Sequence, residues 1–369
     1  MADGRDLSAI EEDRIARLRL IRSTNIGPVT YHHLLLRFGD PRTALDALPE
    51  LARRGGGREI RIAPRADVER EVAHVAKLGA HYLFRGLGLY PRLLAEIENA
   101  PAALIVRGRM ALLDKPLVAM VGARNASAGA IRFARQLGRE LADAGATVVS
   151  GLARGIDAAA HAGSLDGGTV GVIAGGIDIA YPPENAGLQD AIATQGLLVA
   201  EQPPGLEPRA RHFPYRNRII AGMSAGTVVV EAAPKSGSLI TARLAADFGR
   251  EVMAVPGSPL DPRAQGCNLL IREGATLIQS AADILEALRP IADGVASIRQ
   301  PYEPAPSVSA DAGEADRRTV TELLGPVAVP VDEVIRLSGL PPAIVQTVLL
   351  ELELAGRLER HAGGRVSLA

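Results

Sequence analysis

The chain has 369 residues, which is enough for two or three domains with a full hydrophobic core. Lysine and arginine total 41 against 42 aspartates and glutamates, so a global basic field is excluded and any nucleic-acid site must be local. The single cysteine, Cys267, excludes a disulfide framework and a cysteine-cluster metal site, and we expect it to be buried in a protein of the reducing cytoplasm. The charged N-terminus and the absence of a long uncharged apolar run predict neither secretion nor membrane association.

Residues 1–80 are predicted to form a helical domain. Apolar residues recur at helical spacing between residues 7 and 52, and the Gly27-Pro28 pair predicts a tight turn between two helices. Two interpretations of this turn remain open: a packed helical corner, or a turn that offers backbone N–H groups to phosphate.

Residues 81–290 alternate apolar runs with helical patterns, which predicts an α/β fold with a doubly wound parallel sheet. Ligands of such sheets bind at the carboxyl ends of the strands. The predicted strands are residues 117–121, 147–149, 169–174, 197–200, 227–230 and 251–255. The predicted helices are residues 128–144, 157–165, 186–195, 219–223 and 239–248.

The turns after three of these strands share a composition of glycine, small hydroxyl residues and one cation. Glycine lets the backbone approach an anion, and a helix N-terminus with a nearby cation attracts one. No turn reads GxGxxG or carries the P-loop pattern, so neither a dinucleotide nor a triphosphate is specified. The shared composition favours one anion site over three ordinary helix caps with solvated cations. The predicted contacts are Gly122, Arg124, Ser127, Gly129, Ser150, Gly151, Arg154, Gly155, Lys235, Ser236, Gly237, Ser238 and Thr241.

The densest positive window, residues 209–218, reads RARHFPYRNR and contains no acid. Arginines beside aromatic rings can neutralise phosphates while bases stack, as single-stranded nucleic acid requires. The alternative is that these residues form a solvated charged face. The apolar segment that follows weakens this alternative, because it must pack against the body of the domain and bring the window with it. The candidate DNA contacts in this window are Arg211, Phe213, Arg216 and Arg218.

No catalytic constellation emerges from the titratable residues. His161 is expected to be a packed or capping histidine. Four acids stand near strand ends without a metal-ligand spacing, and no serine stands in a nucleophile elbow; the acids are Asp157, Asp178, Glu201 and Glu231. The sequence therefore predicts no catalytic residue, no metal and no cofactor.

Several motifs in order closely resemble the DNA-processing protein A (DprA/Smf) family: VGARNASAG, SGLARGIDAAAH, AGGIDIAYPPEN, HFPYRNRIIAGMS and QGCNLLIREGA. The resemblance implies a Rossmann-like domain between a SAM-like N-terminal domain and a winged-helix C-terminal domain. It also implies a non-catalytic homodimer that binds single-stranded DNA and helps load the RecA recombinase during natural transformation and recombination. The family pocket would map onto Arg124, Arg154, Phe213, Arg216, Arg218, Lys235 and Ser236 to Ser238, and Ala123 stands where the family usually has serine.

The C-terminal residues divide into a Pro-rich acidic linker, residues 291–314, and a winged-helix unit, residues 315–369. In the third helix of that unit, Val345, Val348, Leu349 and Leu352 are predicted to form the core. Gln346, Glu351 and Glu353 would remain on the surface, where acids repel phosphates. We therefore expect this unit to contact protein, with DNA reading as the alternative.

A competing hypothesis is a nucleotide-binding enzyme related to the phosphoribohydrolases, acting on nucleoside monophosphates in the same cleft. Those enzymes carry PGGxGTxxE, whereas this chain has SAGTVVVEA, which keeps Gly226, Thr227 and Glu231 but not the glycine pair or the glutamate spacing.

Overall fold

A computed structural model describes residues 4–57, 60–297, 311–361 and 363–369. The chain forms two compact units, one from residues 71–300 and one from the two chain ends, residues 1–70 and 301–369. In the described part of the chain, no helix is long and apolar enough to cross a membrane.

The unit of residues 71–300 is built on a nine-stranded sheet with the order β1-β2-β6-β5-β4-β3-β7-β8-β9. The seven strands that lie between β6 and β9 in this order, both included, run parallel to one another. Strand β2 pairs antiparallel with both β1 and β6. The bounds are β1 His81–Phe84, β2 Ala103–Gly108, β3 Leu117–Val121, β4 Thr147–Ser150, β5 Thr169–Ile173, β6 Leu197–Ala200, β7 Gly226–Val229, β8 Glu251–Ala254 and β9 Thr276–Leu277.

Helices cover both faces of this sheet, which confirms the doubly wound architecture. Leu137 and Leu141 of one helix pack on one face, and Ile219 and Ile220 of another pack on the opposite face. The helices are α5 Arg92–Glu96, α6 Ala128–Asp143, α7 Ile156–Ser164, α8 Ala186–Gln195, α9 His212–Met223, α10 Gly237–Asp247, α11 Gln265–Arg272 and α12 Ala281–Ser297.

Two predicted boundaries in this unit are wrong. Helix α9 begins at His212 rather than at residue 219, because Pro214 falls in the first helical turn, where its missing N–H costs nothing. Helix α12 continues to Ser297, past the predicted start of the linker at residue 291. Residues 298–310 of that predicted linker lie outside the described residues.

The unit of the two chain ends combines a helical N-terminal segment with a winged helix, as predicted. The winged helix contains a three-stranded sheet of order β10-β12-β11, in which β10 precedes the second helix and β11 and β12 follow the third. The elements are α1 Gly4–Arg22, α2 Pro28–Phe38, α3 Pro41–Arg54, α13 Glu314–Glu322, β10 Val329–Pro330, α14 Val331–Ser338, α15 Pro342–Leu354, β11 Leu358–His361 and β12 Arg365–Leu368. Helix α4, Arg65–Lys77, spans the boundary between the two units.

The expectation that Glu351 lies on the surface of the winged helix is wrong. Its side chain is fully buried, and both carboxylate oxygens accept hydrogen bonds from Arg317, at 2.7 and 3.0 Å. Glu353 is likewise engaged by Arg360, at 2.9 Å. A carboxylate can be buried at this position because a guanidinium supplies the hydrogen bonds that water would otherwise give.

Candidate nucleic-acid interface

The main cavity of residues 71–300 lies where the chain reverses its direction of travel across the sheet. From β3 the chain proceeds to β4, whereas β7 lies on the other side of β3, so the loops after β3 and β7 diverge. Such a switch point is the usual ligand site of an open α/β sheet. A cavity of about 660 Å³ occupies it, and we call this the switch-point cavity. Its predicted site residues are Gly122, Arg124, Phe213, Arg216, Lys235, Ser236, Gly237, Ser238 and Thr241.

The N-terminus of α10 opens into the switch-point cavity. Ser236 caps the helix by accepting the N–H of Ser238, and the two hydroxyl groups lie 2.8 Å apart. Lys235, just before the cap, is exposed and adopts a left-handed backbone conformation with φ of 67°. A non-glycine residue in this conformation is strained, and such strain is concentrated at functional sites. The helix end and the lysine together form a binding site for an anion.

Arg216 forms the floor of the switch-point cavity. Its side chain is 6% exposed and donates one hydrogen bond, from Nη1 to the carbonyl oxygen of Val172, at 2.8 Å. Its Nε is buried without a partner, and among the described residues no carboxylate is within ion-pairing distance. Burial lowers the pKa of Arg216 to about 10, so the guanidinium remains charged at neutral pH.

Gly151 makes room for the Arg216 guanidinium. A Cβ atom at Gly151 would lie 1.6 Å from Nη1 of Arg216, so a larger residue there would displace the guanidinium from this position. Asp157 holds the same loop by accepting the N–H groups of Gly151, at 3.1 Å, and Ala153, at 3.4 Å. Burial raises the pKa of Asp157, and the charge of Arg216 opposes that rise. The loop after β4 is therefore held in place before any ligand arrives.

A second cavity of about 340 Å³ shares Arg124, Phe213 and Arg216 with the first, and we call it the side cavity. Its wall includes the rings of Tyr181 and Phe213, whose centroids lie 5.5 Å apart. The guanidinium of Arg124 lies 5.4 Å from the Phe213 centroid. Cations next to exposed aromatic faces can hold phosphate and base at once.

Arg154 also lines the side cavity, but it is not free. Its exposed guanidinium forms an ion pair with Glu184. A backbone hydrogen bond and then the contact with Arg154 lower the pKa of Glu184, which is ionised at neutral pH. An anionic ligand would have to compete with this carboxylate for Arg154.

Arg218, predicted to contact DNA, lies outside both cavities. It is 3% exposed and donates from Nη2 to Oε1 of Glu201, at 2.5 Å. Its guanidinium carbon lies 5.6 Å from the centroid of the Tyr215 ring. Arg218 therefore connects α9 to the end of β6 and is not available to a ligand in this arrangement.

Ser127, also predicted to contact DNA, is occupied by Glu231. The Ser127 N–H donates to Oε1 of Glu231, at 2.9 Å, and its hydroxyl donates to Oε2, at 2.7 Å. Ser127, Gly129 and Glu231 line a third cavity of about 260 Å³ instead. The Glu231 carboxylate thus connects the loop after β3 to the loop after β7.

Three further predicted residues line none of these three cavities. Ser150 is buried and its hydroxyl donates to the carbonyl oxygen of Met120, at 2.6 Å. Gly155 precedes α7 with φ of 74°, where a Cβ would lie 2.2 Å from the carbonyl oxygen of Ala123. Arg211 is exposed beside His212 at the start of α9.

Some residues of the two main cavities were not predicted from the sequence. Tyr181, in the loop between β5 and α8, was assigned no role, although an exposed aromatic ring can stack on a base. Arg263 follows β8 and forms an ion pair with Asp261, at 2.9 Å. Extending the strand-end rule to β8 would have found it. Asn125 and Asn217 also line the switch-point cavity, but nothing in the sequence except their cationic neighbours indicates that they belong to the site.

The titratable groups considered for catalysis are poorly placed for it. His161 is fully buried with Nδ1 2.7 Å from Oγ1 of Thr169, and burial lowers its pKa to about 3, so it is neutral. Cys267 is buried, as expected, which raises its pKa to about 12. Among the described residues, no group of His, Cys, Asp and Glu side chains has the arrangement of a metal site.

Three family models match the chain, together spanning most of it. Residues 81–289 match DNA recombination-mediator protein A, residues 11–73 match the DprA-like N-terminal HHH domain, and residues 303–364 match the DprA winged helix domain.

Curated relatives match over long stretches. DNA processing protein DprA of Bacillus subtilis (strain 168) is 48% identical over 202 residues, which cover 54% of this chain and 68% of the relative. Protein Smf of Escherichia coli (strain K12) is 38% identical over 311 residues, which cover 83% of this chain and 82% of the relative.

Two solved structures are similar in fold. The X-ray structure of DNA processing protein A from Streptococcus pneumoniae has a TM-score of 0.60 and 37% identity, and the match covers 74% of this chain and 96% of that chain. A structure described as showing the single-stranded DNA binding mode of DNA processing protein A from Helicobacter pylori has a TM-score of 0.52 and 30% identity. That match covers 58% of this chain and 97% of that chain.

Proposed function

Because the chain belongs to the DNA-processing protein A (DprA/Smf) family, we propose that residues 71–300 bind single-stranded DNA across the switch-point cavity and the side cavity. Phosphates occupy the positions beside Arg124, Arg216, Lys235 and the N-terminus of α10, and a base stacks on the rings of the side cavity. The Helicobacter pylori relative, whose description names single-stranded DNA binding, supports this choice of ligand.

The observation that carries the proposal is the buried Arg216 guanidinium. The Arg216 guanidinium is 6% exposed and makes one protein hydrogen bond, so an anion that reaches it would stabilise a buried charge that the protein leaves largely uncompensated. The shared wall of the two cavities favours an extended anion over a single small one. Aromatic faces add affinity that does not depend on base sequence.

The test is a titration of single-stranded and double-stranded oligonucleotides of equal length over a salt series. The logarithm of the single-strand affinity should fall with a slope of roughly −0.7 per neutralised phosphate, or about −2 to −3.5 for three to five contacts. Lys235→Ala should lower the affinity about fivefold and reduce the slope by about 0.7. Lys77→Ala, which removes the same charge from α4, is the control and should change neither. Equal affinity for both kinds of DNA would contradict the proposal.

Two finer roles follow from the family and are proposals for this chain: loading of RecA onto the bound strand, and action as a homodimer during natural transformation. A dimer places two cavities on one strand and raises the apparent affinity by avidity. Exposed leucines, Leu269 on α11 and Leu277 on the edge strand β9, are candidates for a surface that a second copy covers. Light scattering at micromolar concentration tests this, and a monomeric mass would contradict it.

We propose that binding involves no chemical change to the DNA. Asp157 points its carboxylate at two backbone N–H groups, and Glu231, the residue that the phosphoribohydrolase hypothesis would use, is bound to Ser127 outside the switch-point cavity. Incubation of the purified protein with AMP should release no adenine. Release that is lost in Glu231→Gln would establish the enzyme hypothesis instead.

A further inference from the structure

Helix α15 of the winged helix is buried on two sides. Val345, Val348, Leu349 and Leu352 face the core of the winged helix itself. Leu350 and Leu354 do not belong to that core, yet they are only 2% and 1% exposed. In helix-turn-helix proteins, the second helix of the motif carries its outer face into the major groove of DNA. In this chain the outer face of α15 that carries Thr347, Leu350 and Leu354 is already buried.

The covering elements are α2 and α3 of the N-terminal segment, which pack against α15 within the same compact unit. Polar contacts accompany the apolar ones. Nδ2 of Asn25 donates to the carbonyl oxygen of Leu354, at 3.1 Å. Nη1 of Arg37 donates to Oγ1 of Thr347, at 3.0 Å.

Glycines at the end of α3 record how closely the two segments approach. A Cβ at Gly55 would lie 2.0 Å from the carbonyl oxygen of Glu351, and one at Gly57 would lie 2.5 Å from Cα of Ala355. Gly55 has helical backbone angles, φ of −70° and ψ of −2°, which any residue can adopt. The need for glycine at residue 55 therefore comes from α15 and not from the local backbone.

The charges on α15 also differ from those of a helix that reads DNA. The helix carries no lysine or arginine, and its acids are engaged by protein arginines. At the edge of the contact, Arg54 of α3 forms an ion pair with Asp311, at 2.7 Å. This surface complements the N-terminal segment, and α15 itself offers no cation to a phosphate backbone.

We infer that α15 is a docking surface for the N-terminal helical segment of the same chain, and that the winged helix holds that segment instead of reading duplex DNA. The two chain ends then form one cooperative unit. The partner is specified by the chain itself, through a glycine at residue 55 and an apolar outer face on α15.

The decisive experiment is Gly55→Ala in the full chain, with Gly27→Ala as the matched control. Gly27 lies in the same N-terminal segment, has a negative φ of −86°, and has open space where a Cβ would be added. Hydrogen exchange followed by mass spectrometry should show at least tenfold faster exchange in α3 and α15 for Gly55→Ala only. Exchange in β3 to β7 should stay unchanged and confirms that the chain is otherwise folded. Equal exchange in the two variants would overturn the inference.

A second variant keeps the test independent of backbone strain. Leu350→Asp should accelerate exchange in α3 while leaving β11 and β12 protected, because Leu350 lies outside the core of the winged helix. Leu337→Asp, at a 53% exposed position of α14, is its control and should leave α3 unchanged. Unchanged exchange in α3 for Leu350→Asp would contradict the docking.

The competing hypothesis is that α15 binds duplex DNA. If a duplex were read by the outer face of α15, saturating duplex oligonucleotide would have to displace α3 and so accelerate its exchange in the unmodified chain. We expect no change in α3, and acceleration by duplex would overturn the inference.

Discussion

The two sides of helix α9 use the same residue types in opposite ways. On one side, Phe213 and Arg216 line the cavities, and Arg216 has no ion-pair partner among the described residues. On the other side, Tyr215 lies against Arg218, which is bound to Glu201. A spacing of three to four residues keeps side chains on one face of a helix, so residues 216 and 218 must diverge. On this helix, the unpaired cation lies at the candidate ligand site, whereas the paired cation connects two elements of the fold.

The largest expected effect is on the paired side. Arg218→Ala leaves the Glu201 carboxylate mostly buried without its partner and should lower the free energy of unfolding by about 3 kcal/mol. Urea unfolding followed by circular dichroism measures this, and Arg209→Ala, in an exposed part of the same window, is the control. The affinity of folded Arg218→Ala for single-stranded DNA should stay within about twofold of the unmodified chain, since Arg218 reaches neither cavity. A large loss of affinity with normal stability would break the comparison.

The cavity side should respond in the reverse manner. Arg216→Met keeps an unbranched side chain but removes the charge, and it should weaken single-strand binding about 30-fold, or about 2 kcal/mol. Fluorescence anisotropy with a labelled oligonucleotide measures the loss. Arg216→Lys retains the charge and should recover part of the affinity. Binding by Arg216→Met equal to that of the unmodified chain would show that Arg216 contacts no phosphate.

The aromatic residues offer the same comparison at a smaller scale. Tyr181→Ala should weaken single-strand binding about tenfold because it removes a stacking surface from the side cavity. Tyr215→Ala removes a ring that is 60% exposed on the other side of α9 and should change the affinity little. The same anisotropy titration compares the two, and equal losses would contradict base stacking in the side cavity.

The smallest expected effect converts a paired cation into an unpaired one. Glu184→Gln releases Arg154 from its exposed ion pair and should tighten single-strand binding about twofold, since exposed ion pairs are weak. Glu98→Gln, an exposed site that lines neither cavity, is the control for the change in net charge. Weaker binding by Glu184→Gln would mean that Glu184 positions Arg154 for the DNA.

Much of the central fold could be predicted because its signals are local. Aliphatic runs such as residues 117–121 are buried on both faces of the sheet and stand out without any alternation. The edge strand β1 and its neighbour β2 were not predicted, although residues 103–106 of β2 form an apolar run as long as that of β6. The start of α9 was missed because charged residues in its first turns hide the apolar period of the helix.

Within the candidate site, the sequence determined which residue types stand at the ends of β3, β4 and β7. Glycine, hydroxyl and cation recur there, and the parallel strand order requires these ends to meet at one edge. Only the tertiary structure decided which cations are unpaired. Glu201 and Arg218 are far apart in the sequence, and so are Ser127 and Glu231. Nothing in the local sequence indicates that the two members of each pair bind each other. Ion pairing depends on distances of a few ångströms between side chains from different elements, and those distances exist only once the chain has folded.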